Sequence, residues 1–416
     1  MISRSGPRAY RLRCKPGKRS AGPCSGVDAR GWRVKHIVFV SGYYPTDDAP
    51  AQAFVQTIAH AIADSGVRCT VISPQSITRR IVYGRKKRPR EWYEVTKNGK
   101  RVRILQPETL SFGRRKIGGV SVTSWLRSRA IRRALRHAAE RPDAIYAHFW
   151  HLGIEAASAV RHSIPVVVAS GEETIIVDDE CGAAFRRKNL RGVRGLIAVS
   201  TKNLRESAEC GLLQYAPKAT VLLNAVDPAM FFPMERAKAR ERLGLAQEDT
   251  IAIFVGSFEE RKGPERVLEA AKRIPGLKLI LLGAGKQRPQ SDQLLFAGTA
   301  PHGDLAVYLN AADFFVLPTL AEGCCNAIIE AMACGLPVIS SDRPFNDDVL
   351  TSDNSIRIDP TRIDELAAAM ERLCRDAELR QRLSQGALAT AAGLRIQDRV
   401  QRLIAFMEEV AEDSRQ

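Results

Sequence analysis

The sequence predicts an α/β protein with two Rossmann-like domains in tandem that face a central cleft. From Val34 onward, short β-branched runs alternate with helical patterns, the alternation stops over residues 224–233, and it then starts again. Strands that are apolar on both faces and alternate with helices are typical of parallel sheets covered by helices. The length of 416 residues also favours two domains over a single core.

The first domain is predicted over residues 34–223, after a basic tail (1–33) whose Gly, Pro, Ser and Arg content is typical of disorder. Its strands are predicted from continuous apolar runs and its helices from apolar residues at helical spacing. The predicted strands are 36–42, 67–72, 144–148, 165–169, 196–200 and 220–223, and the predicted helices are 52–63, 125–139 and 153–160.

The second domain is predicted over residues 224–395, and a C-terminal segment (396–416) is expected to form a helix that packs back on the first domain. The predicted strands are 251–256, 277–283, 314–318 and 337–341, and the predicted helices are 264–274, 304–311, 326–334, 363–374 and 378–391. Ligands of such sheets bind at the carboxyl ends of the strands. Functional side chains are therefore expected directly after strands.

The net charge of +17 is concentrated in two segments, since residues 1–35 carry +9, residues 79–116 carry +11 and the remainder sums to −3. The second segment lies in predicted loops of the first domain, close to Trp92, Tyr93 and Phe112. The helix predicted over 125–139 adds a basic face with Arg127, Arg129, Arg132, Arg133 and Arg136. Basic residues among aromatic ones suit an anionic membrane surface or an acidic glycan, and a solvated disordered loop is the alternative.

The hydropathy pattern and the cysteine content indicate the cellular compartment expected for the protein. No run approaches the roughly 18–20 apolar residues needed to span a bilayer, and we expect no secretory signal because no apolar segment follows the basic N-terminus. The nine cysteines include no Cys-x-x-Cys pair, which fits neither a disulfide framework nor a zinc site. We expect a cytoplasmic protein with reduced thiols, peripheral on the inner face of the cytoplasmic membrane if the basic segment binds lipid.

Two carboxylates flank a predicted anion site after the strand at 314–318. Glu322 lies in the loop, and Glu330 lies in the following helix beside an apolar face. The backbone amides of Gly323, Cys324, Cys325 and Asn326 lie between them, at a helix N-terminus, where amides and the helix dipole favour negative charge. A phosphorylated ligand there would have amide donors for its phosphates and a carboxylate on either side for its hydroxyl groups.

A second loop, after the strand at 251–256, supplies positive charge at the same edge of the sheet. Gly256 permits close approach of a ligand to the backbone, Ser257 and Arg261 follow it, and Lys262 is a point charge suited to a diphosphate. By itself this segment resembles an ordinary surface loop with mixed charges. Its position beside Glu322 favours a binding role.

The second domain resembles glycosyltransferase family 4, the retaining, nucleotide-sugar-dependent enzymes of GT-B fold. The similarity lies in Glu322-x7-Glu330 with the following Ala-Met-Ala-Cys-Gly-Leu-Pro, in Val255-Gly256…Lys262-Gly263, in the segment 281–285, and in the segment 312–318. Residues 224–233 resemble the inter-domain segment of that family. The resemblance covers about residues 36–410 and is weaker in the first domain.

The resemblance implies a role for each matched residue. Glu322 would bind the hydroxyls of the transferred sugar and support the developing charge, while Glu330 would bind the nucleotide ribose. Lys262 and the amides near Cys324 to Asn326 would hold the diphosphate. His148, at the end of a predicted strand, matches a histidine that touches the transferred sugar in the family, although a merely structural strand-end histidine is the alternative.

The chain departs from the family pattern in both domains. Ser257 stands where the family usually has Arg, and Arg261 is a candidate for replacing that charge. The glycine pair common in the first loop of the first domain is absent, and residues 47–52 stand there instead.

We predict a retaining hexosyltransferase that moves a sugar from a UDP- or GDP-sugar to a glycan or lipid-linked acceptor in bacterial cell-surface polysaccharide synthesis. No metal or other cofactor is expected, because the chain has no Asp-x-Asp triplet, and no nucleic-acid partner is expected. The alternatives are a nucleotide-sugar epimerase, for which no acid/base pair stands out, and a basic nucleic-acid-binding protein, which would leave the two glutamates unexplained. A dinucleotide oxidoreductase is disfavoured, because Gly283-Ala284-Gly285 has no third glycine.

Overall fold

The computed structural model describes residues 33–45, 53–84, 86–137, 140–161 and 163–414, without the side chain of His302. The predicted basic tail, apart from Arg33, and the loop at 47–52 lie outside the described residues. None of the helices in the described part of the chain is long and apolar enough to cross a membrane.

Among the described residues, the first half of the chain has twelve strands, and eight of them form one mainly parallel sheet. The strands are β1 His36–Val40, β2 Arg68–Ile72, β3 Gln75–Ser76, β4 Glu91–Val95, β5 Arg101–Leu105, β6 Glu108–Thr109, β7 Lys116–Ile117, β8 Val120–Ser121, β9 Ala144–His148, β10 Val166–Ser170, β11 Val193–Ala198 and β12 Lys218–Val221. The sheet order is β12-β11-β10-β9-β1-β2-β5-β4, while β3 with β6 and β7 with β8 form separate pairs. The helices are α1 Ala53–Asp64, α2 Ile77–Val82, α3 Val122–His137, α4 Trp150–Val160, α5 Val177–Cys181, α6 Ala183–Asn189 and α7 Thr201–Glu209.

The second half forms a parallel sheet of six strands, in the order β15-β14-β13-β16-β17-β18. Its strands are β13 Thr250–Val255, β14 Leu277–Leu282, β15 Leu294–Gly298, β16 Phe314–Leu317, β17 Val338–Ser341 and β18 Ser355–Ile358. Its helices are α8 Arg236–Leu243, α9 Pro264–Ala271, α10 Leu305–Ala311, α11 Asn326–Ala333, α12 Ile363–Arg375 and α13 Ala377–Ala392, followed by α14 Ile396–Asp413. The predicted pair of Rossmann-like domains is confirmed.

The prediction that residues 79–116 are loops is wrong over part of the segment. Strands β4 and β5 form an antiparallel hairpin there, and β5 extends the main sheet beside β2. Asn98 and Gly99 lie at the turn, and Gly99 has a φ of 73°, which glycine adopts without strain. The hairpin escaped the search for apolar runs because β4 alternates exposed and half-buried residues.

Helix α14 lies against the first domain although it ends the chain. It packs on α1 and β11, and a β-carbon added to Gly195 in β11 would lie 2.9 Å from Val410 Cγ2. Lys218 Nζ also lies 2.9 Å from Asp413 Oδ2. The close approach of this helix to the sheet therefore depends on a glycine in β11.

A buried guanidinium fixes α8 to the second sheet. Arg240 is 1% exposed, and its Nη2 lies 2.9 Å from Asp313 Oδ2. The same guanidinium donates to the carbonyl oxygens of Ala311 (2.9 Å) and Gln247 (2.6 Å). Asp313 Oδ2 in turn accepts the amide of Ile251 at 2.8 Å, so this pair links α8, β13 and the start of β16.

We expect Arg240→Met to lower the free energy of unfolding by about 3 kcal/mol, because the buried Asp313 carboxylate loses one of its two arginine partners and three carbonyl oxygens lose this donor. Urea denaturation of the full chain measures this loss. The matched control is Arg242→Met on the same helix, whose exposed pair with Asp304 should cost less than about 1 kcal/mol. Equal losses in the two variants would contradict the structural role of Arg240.

Candidate active site

The candidate site lies where the carboxyl ends of the two sheets face each other. The loops after β13 and β16 come from the second domain, and the loops after β9 and β10 come from the first. Parallel strands end at one edge of each sheet, which brings residues distant in sequence into one cleft.

Glu322 is held by three donors that converge on one of its oxygens. Its Oε1 accepts hydrogen bonds from Lys262 Nζ, from Thr319 Oγ1 at 2.9 Å and from Arg261 Nη1 at 3.3 Å. The residue is 9% exposed, and its carboxylate is therefore compensated by two cations within the cleft. The other oxygen, Oε2, faces none of these three donors.

Lys262 stays cationic in this setting. Burial lowers the pKa of Lys262, whereas the neighbouring Cys325 and Glu322 raise it by more, so that the net shift is upward. Burial also raises the pKa of the Cys325 thiol to about 11 and that of the Cys324 thiol to about 12. Both cysteines are therefore neutral thiols at pH 7, and the seven cysteines in the described residues are all free.

Gly323 brings the two domains into backbone contact. A β-carbon added to Gly323 would lie 2.3 Å from the carbonyl oxygen of Gly171, in the loop after β10, and 3.1 Å from Asn203 Oδ1. Asn203 is buried at the start of α7 and donates to the carbonyl of Glu172 at 2.8 Å. No residue larger than glycine fits at position 323 while these backbones keep their positions.

Further bonds cross the cleft on either side of Gly323. Arg261 Nε lies 2.7 Å from Glu173 Oε2 of the first domain, and its Nη1 donates to the carbonyl of Ala321 at 2.9 Å. Thr201 donates its amide and its hydroxyl to the two oxygens of Asp348, each at 2.6 Å. Arg261 thus contacts both domains as well as Glu322.

Helix α11 begins directly after these contacts. Cys325 is its N-cap and makes no side-chain capping bond, and Asn326 is its first residue. The carbonyl of Cys324 accepts from Asn224 Nδ2 at 2.9 Å, which ties the inter-domain segment to the same loop. The first-turn amides of α11 therefore lie at the cleft, where an anion would meet the positive end of the helix dipole.

Glu330 lies one turn further along α11 and lines a separate part of the cleft. It borders a cavity of about 340 Å³ together with Asn326, Asp227, Leu305 and Arg399. Desolvation by the surrounding protein raises the pKa of Glu330 to about 7. The side chain is therefore half protonated near neutral pH.

Gly256 and Ser257 follow β13 at the same edge. The amide of Gly256 donates to the carbonyl of Leu282 at 2.9 Å, and a β-carbon on the neighbouring Gly283 would lie 1.8 Å from the oxygen of Gly256. Ser257 is half-buried at the start of the loop that leads to Arg261 and Lys262. Arg261 and Lys262 share one carboxylate oxygen, and no arginine follows Gly256 directly.

His148 ends β9 on the other side of the cleft. Its ring centroid lies 4.2 Å from that of Phe149 and 4.8 Å from that of Phe54, and Nδ1 is buried without a hydrogen-bond partner. Burial, with a smaller contribution from Arg399 and His151, lowers the pKa of His148 to about 3. The imidazole is therefore neutral at pH 7 and can exchange hydrogen bonds but supplies no charge.

Arg399 is a cleft residue that the sequence analysis missed. It is 5% exposed, its Nε donates to the carbonyl of Leu223 at 2.8 Å, and its Nη1 is buried without a hydrogen-bond partner. The signal was present in the sequence, because Arg399 lies among Ile396, Val400 and Leu403 on the apolar face of α14. A buried cation on an apolar face requires a specific reason.

Two family models match the chain. Residues 51–224 match a glycosyl transferase 4-like domain, and residues 235–389 match glycosyl transferases group 1. The chain is 29% identical to the D-inositol 3-phosphate glycosyltransferase of Frankia alni over 60% of this chain and 70% of that protein. It is 27% identical to the teichuronic acid biosynthesis glycosyltransferase TuaC of Bacillus subtilis over 81% and 88%.

Solved structures share the fold at low sequence identity. Sucrose-phosphate synthase from Thermosynechococcus elongatus superposes with a TM-score of 0.71 at 18% identity, over 90% of this chain and 99% of that one. HepE from Anabaena, solved in complex with UDP and glucose, superposes with a TM-score of 0.67 at 17% identity, over 90% and 100%.

The raised pKa of Glu330 predicts a pH dependence of stability. The pKa lies near 7 in the folded chain, against an ordinary value of 4.5. The folded chain therefore keeps a proton that the unfolded chain releases, and the free energy of unfolding should fall as pH rises between about 4.5 and 7. Glu330→Gln should raise the free energy of unfolding at pH 8 by roughly 3 kcal/mol and change it little at pH 4.

Urea denaturation across pH 4–8 tests this expectation. Glu241→Gln, at an exposed position of α8, is the matched control and should not change the pH dependence. A Glu330→Gln variant that follows the wild-type pH profile would show that Glu330 ionises normally.

Proposed function

The chain belongs to the GT-B glycosyltransferases of the family 4 type, and we propose that it transfers a sugar from a UDP- or GDP-sugar to a glycan or lipid-linked acceptor with retention. The observation that carries the proposal is the Glu322 carboxylate, buried in the cleft on Lys262 and Arg261 beside the start of α11. HepE was solved with UDP and glucose, which supports a nucleotide-sugar donor. TuaC, named for teichuronic acid biosynthesis, supports a role in bacterial cell-surface polysaccharides.

The donor diphosphate would lie at the N-terminus of α11. The amides from Gly323 to Asn326 donate to phosphate oxygens, and Lys262, released in part from Glu322, provides the opposing charge. The half-protonated Glu330 would accept a hydrogen bond from the nucleotide ribose within the cavity that it borders. In this proposed arrangement both phosphates would lie beside positive charge, and their neutralisation would need no metal ion.

Transfer breaks the bond between the anomeric carbon and the diphosphate oxygen. Negative charge then grows on the leaving diphosphate, where Lys262, Arg261 and the α11 amides are already oriented. Glu322, the carboxylate beside them, supports the positive charge that develops on the sugar. The acceptor hydroxyl attacks from the face that the diphosphate leaves, and its proton passes to the departing phosphate oxygen.

His148 would contact the transferred sugar from the first domain. Its low pKa keeps the ring neutral, so it would hydrogen-bond a sugar hydroxyl without adding charge. Closure of the domains at Gly323 would exclude water and so favour transfer over hydrolysis.

Incubation with radiolabelled UDP- and GDP-sugars and extracted lipid-linked acceptors tests the proposal. The wild-type chain should move label from donor to acceptor, in EDTA as well as without it, while Glu322→Ala should lose about 10²-fold or more of the rate. Glu371→Ala, at an exposed position of α12 facing Arg375, is the control and should keep the wild-type rate. Label that stays on the nucleotide-sugar as an epimer, or full transfer by Glu322→Ala, would reject the assignment.

We further propose that the first domain binds an anionic membrane surface. Large apolar side chains are exposed on α2 and on the β7–β8 hairpin, namely Ile81 (72%), Val82 (68%) and Ile117 (75%). Basic residues Arg79, Lys87, Arg114, Arg115 and Lys116 are exposed around them. The amide of Ser111 donates to Thr78 Oγ1 and that of Phe112 to Thr123 Oγ1, which ties these segments together. Exposed apolar tips with flanking cations suit a lipid interface.

The chain should float with vesicles that contain anionic lipid, less so at high salt, because surface charge is screened. Ile81→Ser with Val82→Ser should reduce flotation, since it removes apolar insertion and leaves the charge unchanged. Leu295→Ser, at an exposed position in the second domain, is the control. Equal flotation with neutral and anionic vesicles would rule out the membrane proposal.

A further inference from the structure

A cluster of arginines lies away from the cleft, in the first domain. Helices α3 and α4 border a cavity of about 440 Å³ that is lined by Arg129, Arg132, Arg133, Arg136, His137 and Arg161. A neighbouring cavity of about 430 Å³ shares Arg132, Arg136 and Arg161 and adds Arg141. No carboxylate lines either cavity among the described residues. Volumes of this size are in the range of small-molecule sites, roughly 300–1,000 Å³.

The arginines of this pocket have no acidic partners. In the described part of the chain, no carboxylate forms an ion pair with Arg129, Arg133, Arg136 or Arg161. Arg132 donates to the carbonyls of Ser158 (2.6 Å) and Ala159 (2.9 Å) at the end of α4. Burial, followed by repulsion from Arg161, Arg136 and Arg129, lowers the pKa of Arg132. The cluster therefore carries several positive charges that repel one another.

Arg161 is held in a backbone conformation that suits glycine. It follows the last residue of α4 with a φ of 50°, one of two non-glycine residues with positive φ among the described residues. Glycine is the usual residue at this position of a helix end, because a β-carbon is disfavoured there. An arginine at this position costs stability and adds a further cation to the pocket.

The pocket is separate from the cleft. Arg127 contacts Glu155 and Arg132 contacts Ala159, so α3 and α4 run in the same direction. Helix α4 begins two residues after His148 and is 11 residues long, which places its end about 16 Å from its start. The arginines thus lie at the amino edge of the first sheet, opposite the edge that holds His148.

We propose that this arginine pocket is a second ligand site, for a molecule that carries two or more neighbouring phosphate groups. Guanidinium groups bind phosphate oxygens in pairs with matched geometry. Several guanidiniums without carboxylate partners favour a ligand with more than one phosphate. Binding relieves the repulsion between the arginines and does not involve the residues of the transfer reaction.

Calorimetric titration of the full chain with sodium tripolyphosphate, at constant ionic strength and with saturating UDP to occupy the cleft, tests the site. Arg161→Gly should lower the affinity by about tenfold, in line with the loss of one charge-assisted contact. Its unfolding temperature without ligand should equal or exceed that of the wild type, since glycine suits this backbone conformation. Arg133→Gln with Arg136→Gln, whose side chains are exposed, should reduce the affinity further.

The control is Arg187→Gln with Lys188→Gln, which removes two exposed charges from another part of the first domain. It should retain wild-type affinity. Equal losses of affinity in this control and in the pocket variants would indicate non-specific attraction and overturn the proposal. The proposal would also be overturned if no pocket variant changed the binding of tripolyphosphate or of vesicles.

Vesicles that contain phosphatidylinositol 4,5-bisphosphate, whose headgroup carries neighbouring phosphates, distinguish the source of the phosphates when compared with phosphatidylcholine vesicles. Binding of tripolyphosphate that depends on Arg161 supports a soluble ligand. Binding only to the bisphosphate vesicles, lost in the pocket variants and retained in the Ile81→Ser with Val82→Ser variant, supports a lipid headgroup in the same site.

Discussion

The approach of the two domains is limited by one backbone contact, that of Gly323 with the carbonyl of Gly171. A β-carbon at position 323 would lie 2.3 Å from that oxygen, closer than side-chain atoms approach one another. The contact fixes the loop between Glu322 and the first turn of α11. The bonds that cross the cleft beside it, including the Arg261 bridge to Glu173, depend on the domains meeting at this distance.

Two glutamates of the cleft, Glu322 in the loop before α11 and Glu330 on α11, differ in the charges that surround them. Glu322 is buried but faces Lys262 and Arg261, which compensate the loss of hydration. No cation contributes to the shifted pKa of Glu330, which burial alone raises. A carboxylate with cationic partners and a carboxyl whose pKa is raised by burial alone thus lie eight residues apart.

The net charge of the chain divides into surfaces with different surroundings. Around α2 and the β7–β8 hairpin, cationic side chains lie among exposed apolar ones, which suits an interface that is partly charged and partly apolar. At the ends of α3 and α4, five arginines line a cavity. Composition alone assigns the same charge to both surfaces, and only the packing of α3 on α4 separates them.

Local pattern determined the fold class, because strands such as β1, β9, β13 and β16 are apolar on both faces and have no other stable environment than a covered parallel sheet. The sequence also placed Glu322 and Lys262 after such strands and His148 at the end of one, where the geometry of parallel sheets brings each of them to the carboxyl edge of its own sheet. It missed the β4–β5 hairpin, because one face of β4 is exposed and its apolar pattern is weak. Only the tertiary structure decided that Lys262 and Arg261 share one oxygen of Glu322, that Arg399 lies buried beside the cleft, and that five arginines border one pocket. Those relations join residues from separate segments, and contacts across such distances in sequence follow from packing rather than from local periodicity.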